Sequence, residues 1–404
     1  MGKFSVLHDF IKSKVSIPDP LLLGFGILIA GIFIGSLLFF ISSKQTSTRE
    51  QEKLEKQLAS TKKTLTDLQN QDQLKINEEL KKEIDDINKS YKKAVDAYEI
   101  ITDLDSQKGK TEPFKKSLAQ VLKYLSDRNY ASAEARLTVL GSEIEKEKTR
   151  IAALTSPGSA SSINPATLTQ SNAPPGSGYS RQAVSALGGS YVVDIVAADM
   201  GSTRIIVDTA TDGDCRDNCA VLSLGDYVGR NGAFAGVNGS YFCPADYPSC
   251  AGKSNSFDTL AMNKNKKYIN SDNNVYSNVP AVIFQSGSMR FVGASSQWGR
   301  DTGVDGVLAN QPLLLSGGNV VFGGSGDPKQ GSKGSRSFVG NKGSTAYIGV
   351  VRNVTVAEMA HVLKALDLEN ALNLDSGGST ALWSGGYKAG PGRNIPNAIL
   401  FVRK

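Results

Sequence analysis

Ala371-Leu372-Asn373-Leu374-Asp375-Ser376-Gly377-Gly378-Ser379-Thr380 is the stretch on which the reading of this chain turns. Ala371 to Leu374 reads as a short buried strand, because it follows the amphipathic helix pattern of Val356 to Leu368 and ends at a glycine pair. Asp375 then falls at the strand's C-terminal end, beside Gly377 and Gly378 and among the hydroxyls of Ser376, Ser379 and Thr380. Glycine has no Cβ, so backbone N–H groups in such a turn approach an oxyanion or a sugar hydroxyl closely. An aspartate at that point is placed for acid–base chemistry. The plain structural alternative is an Asx-type turn, with the carboxylate bonded to its own backbone.

Working outward, residues 180–404 form one glycine-rich, strand-rich region of normal domain size. Tyr191 to Ala198 and Thr203 to Thr209 are β-branched runs around Gly201 and predict a hairpin. Further strands are predicted at Ala233 to Asn238, Ala281 to Gln285, Met289 to Val292, Val307 to Leu308 and Leu313 to Leu315. Val320 to Phe322, Ala346 to Val351 and Ala398 to Val402 complete the set, with helices at Leu222 to Arg230 and Val356 to Leu368. This mixture predicts an α+β domain with a mostly antiparallel curved sheet and few helices.

All four cysteines lie here, as Cys215-x3-Cys219 and Cys243-x6-Cys250. Outside the cytoplasm two local disulfides are the simplest reading; a four-thiolate zinc site is the rival, although it usually uses tighter Cys-x2-Cys pairs. Asp212-Gly213-Asp214 with Asp217-Asn218 has a faint calcium-loop look but lacks a closing bidentate Glu, so a solvated turn carrying a disulfide is expected. No metal and no cofactor is expected.

Upstream, Ser156 to Tyr179 is rich in Ser, Pro, Gly, Ala and Asn and reads as a flexible linker over residues 155–179. Before it, residues 48–154 read as a helical stalk. Leu54, Leu58, Thr61, Leu65 and Leu68, then Leu80, Ile84, Ile87, Tyr91, Ala94, Tyr98 and Ile101, keep heptad-like spacing, the seam of a coiled coil through which the chain would homo-oligomerise. Glu112 to Ser126 and Tyr130 to Leu154 predict a helical hairpin, and no chemistry is expected of this stalk. Leu21 to Ile41 is uncharged and long enough to span a bilayer, so it is expected to be a transmembrane signal anchor after a cytoplasmic tail of residues 1–20, with the C-terminal domain extracytoplasmic; a cleaved signal peptide is the alternative. Gly31 and Gly35 within it form a Gly-x-x-x-Gly pair, though glycine is common in membrane helices.

The formal net charge of +6 is modest, and the lysines concentrated in the first 150 residues alternate with glutamates, which is a solvated helix and no nucleic-acid patch. Histidine occurs only as His8 and His361, which argues against a Ser-His-Asp or Cys-His triad and a histidine zinc site.

Asp375 belongs to a larger pattern. Gly236-Val237-Asn238-Gly239-Ser240-Tyr241-Phe242, Gly334-Ser335-Arg336-Ser337-Phe338, Asn373 to Ser379 and Arg393-Asn394-Ile395-Pro396-Asn397-Ala398 follow in order. Together they resemble the phosphodiester glycosidase family, whose members include N-acetylglucosamine-1-phosphodiester α-N-acetylglucosaminidase and bacterial exopolysaccharide-associated proteins. The family hallmarks are Asn-Gly-x-Tyr-Phe, an Arg-Thr-like pair, Asn-Leu-Asp-Gly-Gly-Gly-Ser and a late x-Pro-Asn. Ser376 stands where the family usually has glycine, and Ser337 where it often has threonine.

The resemblance implies hydrolysis of a sugar-1-phosphodiester at the glycosidic bond, in cell-envelope or exopolysaccharide glycan. The leaving phosphate needs little protonation, and an arginine holds it bidentately: Arg336 first, Arg393 second. A carboxylate must stabilise the oxocarbenium-like centre or activate water. After Ser180 glutamate occurs only as Glu358 and Glu369, in or beside the helix pattern, so Asp375 takes that role, and Asp258 and Asp301 are guesses for a second carboxylate. The substrate would meet Asn238, Gly239, Asn373, Ser376, Gly377, Gly378 and Ser379, with Tyr241 or Phe242 against the sugar ring. Two other readings stand beside this one: a non-catalytic glycan-binding protein on the same fold, and an envelope scaffold whose working part is the coiled coil.

Overall fold

The computed structural model describes residues 19–69, 72–106, 109–154, 168–271 and 277–404. It divides into two compact units, residues 1–86 and 87–404.

The first unit contains the helix α1 (Asp19–Gln69) and the start of α2 (Asp72–Ser106). The apolar run Leu21 to Ile41 falls inside α1, where the described side chains, Gly26 and Ile29–Leu38, are exposed. Among the described residues no helix is long and apolar enough to cross a membrane. The expected single-pass anchor through residues 21–41, and the localisation built on it, are corrected accordingly. Residues 1–18, including His8, lie outside the described residues.

In the second unit the rest of α2 packs with α3 (Glu112–Ser126) and α4 (Tyr130–Leu154). Ala94, Ile101 and Leu104 of α2 meet Val121 and Leu125 of α3 and Leu137, Leu140 and Ile144 of α4 in one buried cluster. Of the second half of the expected seam, Ala94 and Ile101 close on the chain's own hairpin while Tyr91 and Tyr98 stay exposed, and no coiled coil with another helix is shown. Leu54, Leu58, Leu65, Leu68, Leu80 and Ile84 stay exposed. Most of the expected linker, residues 155–167, lies outside the described residues; its far end is docked, since Gln182 Nε2 donates to the carbonyls of Ser171 (2.8 Å) and Ala173 (2.9 Å).

The remainder is three antiparallel sheets. The first has seven strands in the order β1 (Gly178–Ala186), β2 (Gly189–Asp199), β13 (Thr345–Val354), β12 (Gly334–Lys342), β14 (Asn370–Ser376), β10 (Leu313–Ser316) and β11 (Asn319–Val320). The second runs β16 (Tyr387–Ala389), β15 (Leu382–Ser384), β4 (Ala235–Asn238), β17 (Asn397–Arg403) and β3 (Thr203–Thr209). The third runs β6 (Tyr268–Ile269), β5 (Ala261–Met262), β9 (Gly306–Ala309), β7 (Ala281–Gln285) and β8 (Ser288–Val292). Val196, Val350, Leu372 and Leu374 of the first sheet, Val207, Val237 and Ile399 of the second, and Val282 and Leu308 of the third share one core. Successive strand side chains point to opposite faces, so Leu372 and Leu374 enter this core while Ala371 faces a second one under α7 (Val356–Ala365). Burying each leucine contributes about 1.5–3 kcal/mol, which fixes the register that carries Asp375 to the strand end.

α7 starts at a capping box, with Thr355 Oγ1 accepting from the Glu358 N–H (3.1 Å) and the Glu358 carboxylate accepting from the Thr355 N–H (2.8 Å). His361 is on its exposed side. A second short helix, α5 (Leu224–Asn231), covers the outer face of the second sheet, and a single turn, α6 (Pro328–Gly331), precedes β12.

One pairing differs from expectation. β2 and β3 are not a hairpin: β2 is already paired with β1 and β13 on its two edges, so β3 leaves the Gly201 turn and pairs with β17. Both disulfides, Cys215–Cys219 and Cys243–Cys250, are present. The acids near the first brace loops: Asp212 Oδ1 accepts from Asn263 Nδ2 (2.9 Å), and Asp217 Oδ1 from the Ser254 N–H (2.7 Å). No group of side chains suited to hold a metal ion occurs among the described residues.

Candidate active site

The ends of β4 and β14 are stapled together, and this staple builds the site. Asn238 Nδ2 donates to the Asp375 carbonyl (2.7 Å), and the Asp375 N–H donates to the Gly239 carbonyl (2.9 Å). Asn238 Oδ1 accepts from Ser337 Oγ (2.8 Å) and the Ala381 N–H (3.0 Å), so both lone pairs of this buried amide oxygen are used. Gly239 has to be glycine because a Cβ there would lie 1.8 Å from Asn397 Oδ1. Asn397 uses that oxygen to accept from the Ser240 N–H (2.8 Å) and its Nδ2 to donate to Ser240 Oγ (2.9 Å), which fixes the turn after β4.

Asn373, two residues before Asp375, donates through Nδ2 to the Tyr241 hydroxyl (2.5 Å) and the Gln311 carbonyl (2.8 Å). Its Oδ1 is buried with no hydrogen-bond partner. Burial and the neighbouring Asp375 push the Tyr241 hydroxyl pKa up, so it stays protonated.

The Asp375 carboxyl accepts from the Ser376 N–H (2.8 Å) and from the Ser379 hydroxyl. Burial nevertheless raises its pKa to about 7, against the pull of those two donors and of Arg393 and with a further push from Asp103. Asp375 as a residue is half-buried. Gly377 sits at φ +65°, a backbone conformation that favours glycine, and the Gly378 carbonyl accepts from the Arg393 N–H (2.8 Å).

The two arginines differ sharply. Arg336 is buried, and its donors go to the carbonyls of Val354 (3.3 Å), Lys329 (2.7 Å) and Ser332 (2.5 Å). Burial lowers its pKa, with partial relief from Tyr241, Asp327 and Asp375. The Arg393 guanidinium lies 4.9 Å from the Tyr247 ring centroid and 3.7 Å from Asp246, with its Nε buried and unpartnered. Its main partner is Asp103 of α2. Burial opposes its charge, but Asp103 and Tyr247 outweigh that and raise its pKa. Asp103 is itself raised by burial in spite of Arg393 and Tyr247. The direct contact marks a charged pair.

Residues 231–402 match the family model described as phosphodiester glycosidase. This part of the chain is a phosphodiester glycosidase domain. Among solved structures the chain is similar to a hypothetical protein from Synechocystis (14% identity, TM-score 0.44, covering 56% of this chain and 62% of that one). It is also similar to the zebrafish N-acetylglucosamine-1-phosphodiester alpha-N-acetylglucosaminidase catalytic domain auto-inhibited by pro-peptide (15% identity, TM-score 0.43, covering 59% of this chain and 87% of that one). The chain thus spans less than two thirds of the Synechocystis protein. No curated protein matches it.

Within the glycosidase domain, Asn238, Gly239, Tyr241, Asn373, Ser376, Gly377, Gly378, Ser379 and Arg393 are all brought to the two strand ends around Asp375. Phe242 instead packs against the cluster under α5. Asp301 accepts from the Gly303 N–H of its own turn (2.7 Å), Asp258 lies exposed, and neither is among the groups that shift Asp375. The carboxylate that does so is Asp103, from a helix in which no chemistry was expected. Tyr247 also escaped sequence reading; its place inside the Cys243–Cys250 loop was the available signal.

Proposed function

We propose that the phosphodiester glycosidase domain hydrolyses a sugar-1-phosphodiester of the N-acetylglucosamine-1-phosphate kind at its glycosidic bond. The observation that carries this reading is the carboxyl of Asp375, held at a pKa of about 7 beside Arg393 at the joined ends of two strands. A carboxylate near neutrality takes a proton from water or stabilises the positive charge growing at the anomeric carbon. Arg393 holds the leaving phosphate, which departs already acidic and needs no strong general acid. Arg336, whose donors serve carbonyls, positions the Lys329 turn. Asn373 Oδ1, buried and unpartnered, is an acceptor for a sugar hydroxyl or amide N–H.

The test is release of free sugar from an N-acetylglucosamine-1-phosphodiester by the purified chain, with loss of release in Asp375→Asn. One observation favours the non-catalytic alternative: the carboxyl is partly engaged by its own turn, through Ser376 and Ser379. Saturable glycan binding without turnover over a panel of sugar phosphodiesters would select that reading.

A further inference from the structure

The matched residues 231–402 bring one carboxyl, Asp375, to the strand ends, whereas glycoside hydrolysis ordinarily uses two. A second carboxyl does lie beside Asp375, but it comes from α2, outside the matched residues. Asp103 Oδ2 would lie 2.9 Å from a Cβ at Gly377, in the turn that carries Asp375. The same carboxylate accepts from Arg393 and from the Tyr247 hydroxyl. Asp246, 3.7 Å from Arg393, is exposed.

A second acid holds α2 in this register. Glu99 and Asp103 stand at i and i+4, on one side of the helix. Glu99 is 1% exposed, and its carboxylate accepts from Lys329 Nζ (2.8 Å) and the Ser249 hydroxyl. Lys329 Nζ and the Arg393 guanidinium each lie 4.9 Å from the Tyr247 centroid, so the two ion pairs share one aromatic ring. Helix and glycosidase domain are therefore joined at two points.

Stability is a poor explanation for Asp103, because apolar side chains in place of buried ion pairs are often neutral or stabilising. Its effect on the site is specific. Contact with Asp103 at Nη2 fixes the Arg393 guanidinium and leaves its buried Nε without a protein partner. Arginine carries its donors in a rigid fork, so that Nε is the donor an incoming phosphate oxygen meets. The charged and titratable groups facing Asp375 are Asp103 of α2, Arg393 before β17, Tyr241 after β4 and Arg336 of β12. Among these four Asp103 alone is a carboxylate. It opposes the ionisation of Asp375 and occupies Arg393, the cation that favours it.

We propose that Asp103 is a positioning residue of the glycosidase site, which α2 completes: it aims Arg393 at the phosphate and supplies a second negative charge beside Asp375. This rests on the reading of Asp375 as the reacting carboxylate and of Arg393 as the phosphate holder.

The test compares the full chain with Asp103→Asn and Asp103→Glu on an N-acetylglucosamine-1-phosphodiester. Asparagine keeps the shape and removes the charge. Asp375 then loses a like-charged neighbour and gains a freer Arg393, two changes of the same sign. The pH midpoint of kcat/KM should fall from about 7 by about one unit or more. On the plateau kcat should fall about tenfold or more, since a weaker base and a loosely held guanidinium both raise the barrier, while KM holds or falls because Arg393 has lost a competitor. Asp103→Glu keeps the charge and should stay within about 0.3 unit of the wild-type midpoint. An unmoved midpoint in Asp103→Asn, a rise in KM with kcat unchanged, or an equal fall of the midpoint in Asp103→Glu overturns the proposal. Carboxyl-carbon NMR of Asp375 reads the same midpoint without substrate. A fall there in Asp103→Asn with no sugar release from either protein defeats the proposed reaction and leaves the coupling standing; sugar release with equal midpoint and equal kcat does the reverse. Where Asp103→Asn fails to fold, the wild-type chain decides. Saturating inorganic phosphate should leave unchanged or slow the hydrogen exchange of the α2 amides from Glu99 to Asp103, because the helix belongs to the occupied site; faster exchange overturns the proposal.

Discussion

Asp375 combines two demands that conflict. Its carboxyl is ringed by protein, which favours the neutral form, yet the proposed chemistry uses the ionised one. With the pKa at about 7, against 3.8 ordinarily, the folded state binds a proton that the unfolded chain has released. The stability this group contributes is therefore whole below about pH 4 and is lost as pH rises through about 7. Asp375→Asn keeps the shape and removes the ionisation, so the variant gains stability over wild type on going from about pH 5 to pH 8, by roughly 2–3 kcal/mol at about 1.4 kcal/mol per unit, and gains no more above that. Denaturant melts at several pH values check this; a pH-independent difference contradicts it. In the active protein kcat/KM rises with pH through about 7, and the same substitution lowers it about 10²–10⁴-fold. The two arginines separate in the same experiments. Arg336→Met strands three carbonyls and costs about 3 kcal/mol or more of stability, while folded protein keeps its KM. Arg393→Gln instead lowers kcat/KM about 30-fold or more.

The elements show which parts of the site could be read from the sequence. Leu372 and Leu374 with the helix before them give a strand by apolar pattern alone, and that strand delivers Asp375. β12 gave no such signal. Gly334, Ser335, Ser337, Gly340 and Asn341 look like a loop, but they lie in a central strand where small residues are a packing requirement: a Cβ at Gly340 would lie 2.7 Å from the Asn370 carbonyl, and one at Gly349 of the next strand 2.7 Å from the Phe338 ring. Asn238 and Asn397 were legible as motif members, but their amides bond backbone and serine partners across more than a hundred residues, which spacing does not reveal. The Tyr247 loop was legible only through its cysteines. The Cys243–Cys250 bridge closes a ring of seven-residue separation around Asp246 and Tyr247. Replacing both cysteines by serine costs about 2–3 kcal/mol on chain-entropy grounds. It also frees the ring against which Arg393 and Lys329 lie, so KM for an anionic substrate rises while kcat changes less; an unchanged KM would show that the loop holds its shape without the bridge.

At the scale of the molecule, periodicity told where helices run and left open what they pack against. Ala94 and Ile101 share heptad-like spacing with Leu54 and Leu58, yet the first pair is buried in the α2–α3–α4 cluster and the second is exposed. A single helix face reads the same whether its cover is a hairpin of its own chain or another copy. Asp103 and Glu99 illustrate the same gap, since nothing in a charged helix distinguishes the two acids that meet Arg393 and Lys329 from those that meet water. The distribution of burial sets the last expectation. Before Ile87 every described side chain is exposed, whereas from Ser90 onward buried positions recur. Stability follows apolar burial, and most helical stability in proteins comes from packing of a covered face. Removing residues 1–86 should therefore leave the thermal midpoint of the remainder within about 2 °C of the full chain, because about 1 kcal/mol shifts a domain of this size by only about 2–4 °C. A larger fall would mean that Leu54, Leu58, Leu65 and Leu68 are covered in solution by another copy whose docking stabilises the whole. Sedimentation of the full and shortened chains separates the cases, because only that docking makes the fall disappear on dilution.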